Sequence, residues 1–318
     1  LFEGLYIYDK IEWQAYPVIH IDFAAIDFST EIDLHEGLIQ LIDGINDNHQ
    51  LEVEKRGFKA YFKNIIMALA AKYGKVVVLV DEYDKPIVEY IHDIEIATKN
   101  REILRNFFGV LKSADPFLHF VFLTGVSKFA RVSIFSDLNH LQDITLSPQF
   151  ATLLGYTQSE LENYFVQHIS TLCFKLKIKK EPLLAQIKTW YNGYSWDAQH
   201  QVYNPFSILC LFAGQRFSNY WFATGTPMFL TKLIKQTKLA VIEFENKIVS
   251  EIIFDSYSIE QINVFALLFQ TGYLTVTGIN KKARTPQYIL NYPNVEVNEA
   301  FITYLFESFP HHSLEEIQ

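Results

Sequence analysis

The stretch Lys75-Val76-Val77-Val78-Leu79-Val80-Asp81-Glu82-Tyr83-Asp84-Lys85-Pro86 constrains the fold more than any other part of this chain. A short, valine-rich apolar run ending in two adjacent carboxylates predicts a strand buried on both faces, as in a parallel sheet under helices. Charges cannot continue inside such a core. Asp81 and Glu82 are therefore expected at the strand's C-terminal edge, where open α/β sheets place their ligands. Pro86 cannot donate to a ladder and discourages further strand. Two acids at a strand end suit nucleotide hydrolysis: the first can hold Mg²⁺, directly or through water, and the second can orient or deprotonate the attacking water. Asp84 is a third acid nearby whose role is open. A strand followed by a solvated acidic turn would use the same residues, but the rest of the chain supplies the neighbours that the chemistry needs.

Around this stretch, strand and helix patterns alternate. Residues 1–16 read as a short helix and loop. Residues 17–23 read as a strand in which His20 and Asp22 alternate with apolar residues, and His20 reads as a core or edge histidine before it reads as a ligand. Helical spacing covers 30–45 and 57–72, the latter stopped by Gly74. Residues 87–97 are helical or irregular, and 99–113 are helical up to Asp115-Pro116. Buried strands are expected at 118–124 and 143–147, with Pro148 stopping the second. Such alternation predicts a parallel sheet with right-handed crossovers. Thr124 ends its strand as Asp81 ends the central one, and a strand-end cap explains Thr124 equally well.

From about Gly155 the pattern turns helical, over 158–175, 181–191 and 228–238, with a capping signal at Thr157–Glu160. Asn192-Gly193 marks a turn within an aromatic cluster that reads as core packing. Beyond 239, strand-like pieces at 247–254, 273–279 and 286–290 flank a helix at 258–270, and a final helix covers 295–309. This is the pattern of a small winged-helix-like α+β module.

Composition sets outer limits. The 318 residues are 49% hydrophobic, enough for a large core and two or three domains. A formal net charge of −9 argues against a broad non-specific nucleic-acid surface and leaves room only for a local basic patch. Cys173 and Cys210 in apolar surroundings read as buried thiols of a reducing compartment. No stretch approaches the ~20 apolar residues of a membrane span, and no signal peptide is visible, so a cytoplasmic location is expected.

Six motifs stand along the chain: Val-Asp-Glu-Tyr-Asp-Lys-Pro-Ile at 80–87, Leu-Thr-Gly-Val-Ser-Lys-Phe at 123–129, Trp-Tyr-Asn-Gly-Tyr at 190–194, Tyr-Asn-Pro-Phe-Ser at 203–207, Tyr-Trp-Phe-Ala-Thr-Gly-Thr-Pro at 220–227 and Leu-Phe-Gln-Thr-Gly-Tyr-Leu at 268–274. In these the chain resembles the AAA-ATPase-like proteins, many of which carry a C-terminal PD-(D/E)XK nuclease-like domain. The resemblance implies a P-loop NTPase-like core over 1–155, a helical lid over 156–240 and the winged-helix-like module over 241–318. It implies Mg²⁺ and ATP as cofactors, with Asp81 at the metal, Glu82 as the catalytic acid and Thr124 sensing the terminal phosphate. Ser127 and Lys128 are further phosphate-side candidates. Arg131, one helical turn on, could reach a phosphate or a neighbouring subunit in a homo-oligomer. For Lys128 and Arg131 a solvated surface charge is the plainer reading. Asn192 stands where the family commonly has an acid.

None of the 13 glycines belongs to a phosphate-cradling G-x-x-x-x-G-K-[ST] loop. In the resembling fold that loop follows a central strand lying upstream of residue 17, between the strands expected at 119–124 and 143–147. The chain opens on Leu1 and reads as a fragment. Three functions follow in order. The first is an Mg-ATP-dependent switch in the complete protein that signals to a C-terminal nuclease-like effector, with little or no hydrolysis by these 318 residues alone. The second is a non-catalytic interaction module. The third is a metal-dependent nuclease built on Asp81, Glu82 and Asp84, with Lys85 adjacent. Glu245-Asn246-Lys247 matches half of a nuclease signature and reads as chance. Nucleic acid as a partner stays open.

Overall fold

A computed structural model describes residues 2–127, 134–135, 138, 140–221, 244–254, 263–280, 282 and 285–308, with backbone only at 252 and 304–308. The chain divides into two units, one made of Leu1–Ile87, Glu95–Gly125 and Ser133–His140, the other of Val88–Ile94, Val126–Val132 and Leu141–Gln318. Among the described residues no helix is long and apolar enough to cross a membrane.

In the first unit a parallel sheet holds β1 (Val18–Asp22), β2 (Val76–Asp81) and β3 (Leu118–Leu123) in the order β1-β2-β3. The register sets Asp22 opposite Asp81 and Leu123 opposite Val80, so the three strands end almost level. The crossovers are α1 (Glu31–His49) with α2 (Phe58–Tyr73), and α3 (Lys85–Val88) with α4 (Ile94–Ala114). Thr30 and Asp33 close α1 with a reciprocal capping box. Gly57 and Gly74 bound α2 at φ 69° and 95°, conformations that a side chain would resist. The apolar stripe predicted for α2 is buried as Tyr61, Phe62, Ile65, Ile66 and Leu69. Phe62 stacks on Phe107 of α4 at 4.4 Å, and Phe108 meets Phe23 after β1 at 6.0 Å. Buried Asn100 of α4 donates to the carbonyls of Phe28 (3.2 Å) and Pro86 (2.8 Å), tying together the segments that follow β1 and β2.

Three expectations change here. Val76, Val78 and Val80 are buried, but Val77 and Leu79 are only half-buried, so β2 has one fully covered face rather than two. β3 is an outer strand among the described residues, and Phe120 on it is 52% exposed. Residues 2–16 form turns and no helix.

The second unit begins with helices α5 (Gln158–Tyr164), α6 (Val166–Leu176), α7 (Lys180–Tyr191) and α8 (Pro205–Gly214). Leu161, Ile169, Leu172, Leu183, Ile187, Tyr191, Tyr203, Ile208 and Leu211 make one buried cluster. The single helix expected over 158–175 is broken at Phe165, whose φ −108° and ψ 24° leave the helical basin. The strand expected at 143–147 is a turn: Asp143 Oδ1 accepts the Thr145 amide at 3.0 Å and Ile144 O accepts the Ser147 amide at 3.1 Å. An Asp side chain satisfying its own backbone outcompetes a strand that offers only two apolar residues. The helix expected at 228–238 lies outside the described residues.

Further along, β4 (Lys247–Ser250), β5 (Thr275–Asn280) and β6 (Gln287–Asn291) form an antiparallel sheet in the order β4-β6-β5, joined by α9 (Val264–Gln270) and α10 (Val295–Ser308). β6 and α10 fall within a residue of the predicted 286–290 and 295–309, and β5 starts two residues after the predicted 273. The strand expected over 247–254 stops at Ser250, and Glu251–Phe254 turn into a 3-10 helix instead. The 258–262 part of the expected helix lies outside the described residues.

Candidate nucleotide site and a buried carboxylate

Asp81 is the last residue of β2 and is exposed, as a charge at the rim of a valine strand must be. Its Oδ1 accepts from the Glu82 amide at 3.0 Å and from the Thr124 hydroxyl at 2.5 Å. Thr124 also bonds across to Val80 O, through its amide at 2.8 Å and its hydroxyl at 3.3 Å, and the Tyr83 amide donates to Thr124 O at 3.1 Å. The ends of β2 and β3 are therefore zipped together, and the acid and the hydroxyl are held side by side. Asp81 Oδ2 makes no hydrogen bond among the described residues. It is a hard oxygen on an exposed residue, which suits Mg²⁺ as a ligand.

Glu82 follows at φ 52°, a left-handed conformation that a non-glycine residue adopts at a cost of about 1–2 kcal/mol. Its Oε2 pairs with Lys85 Nζ at 3.0 Å. The adjacent Lys85 thus acts as a partner for the second acid. Asp84 takes a different place: it is 1% exposed, packed against Gly125. Among the described residues no group of three acidic, histidine or cysteine side chains is arranged to hold a metal, so Asp81, Glu82 and Asp84 do not form the cluster that a nuclease reading requires.

Gly125 was not singled out from the sequence, yet it sets this geometry. A Cβ there would lie 2.5 Å from both Asp84 Oδ1 and Tyr83 Cε1. Only glycine lets the turn after β2 approach the end of β3 this closely. The signal was its place directly after Thr124. Ser127 is 3% exposed, and Lys128 and Arg131 lie outside the described residues. His20 is exposed on β1, an edge residue as its alternation suggested.

A second polar centre lies wholly in the C-terminal unit, where Tyr194, Ser207, Trp221 and Tyr273, from four of the motifs quoted above, come together. Glu296, in the first turn of α10, is 0% exposed. Its Oε2 accepts from Ser207 Oγ at 2.8 Å and its Oε1 from the Trp221 amide at 2.9 Å. Burial pushes this carboxyl above its ordinary 4.5, against the lowering effect of those hydrogen bonds. The Tyr194 hydroxyl, raised by burial and by the nearby Glu296 charge, is enclosed without a well-formed hydrogen bond. Asn294 Nδ2 donates to Asn192 O at 3.0 Å, and Gly193 at φ 110° brings its Cα so near Pro293 O that a Cβ would sit 2.0 Å away. The aromatic motifs are thus packing residues, as expected, but they enclose a buried acid whose partners are 75 to 89 residues away in the chain. Nearby, Asp197 Oδ2 binds His200 Nδ1 at 2.6 Å while Ser195 Oγ turns to Asp197 at 3.5 Å. Serine and histidine both address the acid rather than each other, which makes a closed turn and not a nucleophile–base pair.

Comparison with known proteins gives two matches. Residues 1–135 match the AAA-ATPase-like family, described as Predicted AAA-ATPase. A curated relative from Azotobacter chroococcum mcd 1, the uncharacterized protein in the vnfD 5′ region, is 36% identical over 308 residues, covering 95% of this chain. The chain spans 58% of that relative's length.

Proposed function

We propose, from the AAA-ATPase-like match of residues 1–135, that this chain is part of an AAA-ATPase-like protein that in its complete form is an Mg-ATP-dependent switch. The observation that carries the reading is the 2.5 Å contact between Asp81 and Thr124 at the ends of adjacent parallel strands. In this reading Asp81 Oδ2 holds Mg²⁺, Glu82 orients the attacking water, and Thr124 reads the terminal phosphate. Glu82 must leave Lys85 to act. Bound Mg²⁺ would supply charge neutralisation at the phosphates.

The free outer edge of β3 supports the same reading. Among the described residues no strand pairs with it, and half-exposed Phe120 suits a strand that has a further neighbour. In the P-loop type of sheet that neighbour is the strand leading into the phosphate-binding loop. The helices over 156–240 then serve as a lid, and the winged-helix-like module relays nucleotide state to a C-terminal effector of the nuclease-like kind.

Titration calorimetry of the complete protein tests this. Mg-ATP should bind, Asp81→Asn should weaken Mg²⁺-dependent binding at least tenfold, and Glu82→Gln should keep binding while abolishing turnover. Absence of Mg-ATP binding removes the proposal. The 318 residues alone should hydrolyse little or no ATP, and a turnover from them that Glu82→Gln abolishes would contradict that.

A further inference from the structure

We infer that the turn between α6 and α7 is a docking surface for single-stranded nucleic acid. The whole chain has a formal charge of −9, yet residues 175–180 carry four lysines, Lys175, Lys177, Lys179 and Lys180, all exposed. Glu162 reaches only Lys180, at 3.8 Å, and the other three make no ion pair among the described residues.

Folding does not account for this placement. Lys175 in the last turn of α6 suits the negative end of that helix. Lys179 and Lys180 are placed against the field: they occupy the N-cap and first position of α7, where the helix end is positive. The cap position favours Ser, Thr, Asp or Asn, and Lys179 makes no side-chain capping bond. One acid, Glu181, stands in the same first turn and offsets only part of these two charges.

Beside the lysines, Phe174 is 88% exposed, more than any other large apolar side chain among the described residues. Next to it a groove of about 320 Å³ is lined by Val166, Ile169, Cys173 and Ile178, with Lys179 and Lys180 at its side. Ammonium groups that track a phosphate backbone, next to an aromatic face on which a base can stack, are the parts of a sequence-tolerant single-strand site. A lipid surface fits less well. The exposed face of α6 that bears Phe174 also carries Gln167, Ser170 and Thr171, which breaks the continuous apolar stripe of an interfacial helix.

The test is fluorescence anisotropy with the 318-residue protein and a fluorescein-labelled 20-mer of deoxythymidylate. Binding is expected to fall with salt at a log–log slope of about −2 to −3, as three or four lysines on a single strand give. Lys177→Gln/Lys179→Gln/Lys180→Gln should weaken it at least tenfold. Phe174→Ala should weaken it roughly five- to a hundredfold, the range for losing one stacked base. If the triple variant melts early, Phe174→Ala decides alone, since removing so exposed a ring leaves no cavity. No binding at low salt overturns the inference, as does binding that both variants leave unchanged. Capture of phosphatidylserine vesicles or polyglutamate in place of the oligonucleotide, lost in the same variants, assigns the face to another polyanion and also overturns it.

Discussion

At the scale of single residues, close approach decides more than charge. Gly125 faces Asp84 and Tyr83 at distances that no Cβ tolerates. Gly125→Ala should destabilise the first unit by about 1–3 kcal/mol, as overpacking does, and should part Thr124 from Asp81. A lowered thermal midpoint together with lost Mg-ATP affinity in the complete protein is the expected pair of results. Glu296 is the second such residue. Because burial raises its pKa in the folded state, the fold binds this proton more tightly than the unfolded chain does. Its contribution to stability is therefore full below the ordinary 4.5 and is lost as pH rises through the raised folded value. Glu296→Gln removes the titration, so the midpoint difference, variant minus parent, should grow more favourable to the variant between pH 4.5 and pH 8 in thermal melts. Asp81, Glu82 and Thr124 were legible from the sequence because a local pattern, apolar run then polar residue, fixes where a strand surfaces. Gly125 and Glu296 were not, because what makes them matter is contact with chain far from them in sequence.

At the scale of elements, caps and glycines mark boundaries well, and short apolar runs mark them poorly. The stop of α2 at Gly74 and the capping box at Thr157 and Glu160 agree with the sequence reading, since both act over four residues. The 143–147 segment and the break at Phe165 do not, since backbone self-bonding and tertiary packing decide there. One long-range tie between elements can be tested directly. Buried Asn100 of α4 donates to the carbonyls of both Phe28 and Pro86. Asn100→Ala removes both of these hydrogen bonds and should cost about 1–3 kcal/mol, read as a lower urea midpoint with unchanged m. Thr157→Ala, which removes only a cap, should cost about 1 kcal/mol.

At the scale of the whole molecule, each unit has its own buried core, one around Phe62, Phe107 and Phe108, the other around Tyr191, Tyr203 and Leu211. Unfolding is then not expected to be a single two-state event. Phe107→Ala should lower one calorimetric transition by the equivalent of about 3–5 kcal/mol and leave the other in place. Glu296→Ala should do the reverse, by orphaning Ser207 Oγ and the Trp221 amide. A single transition shifted equally by both would contradict the division.

The backbone at Glu82 has a consequence of its own. At φ 52° that position would suit asparagine better than glutamate, and the part-exposed pairing with Lys85 offsets little of the difference. Glu82→Asn should therefore melt no earlier than the parent, and even somewhat later. Such a result would mean that the acid at this turn contributes nothing to the shape of the chain.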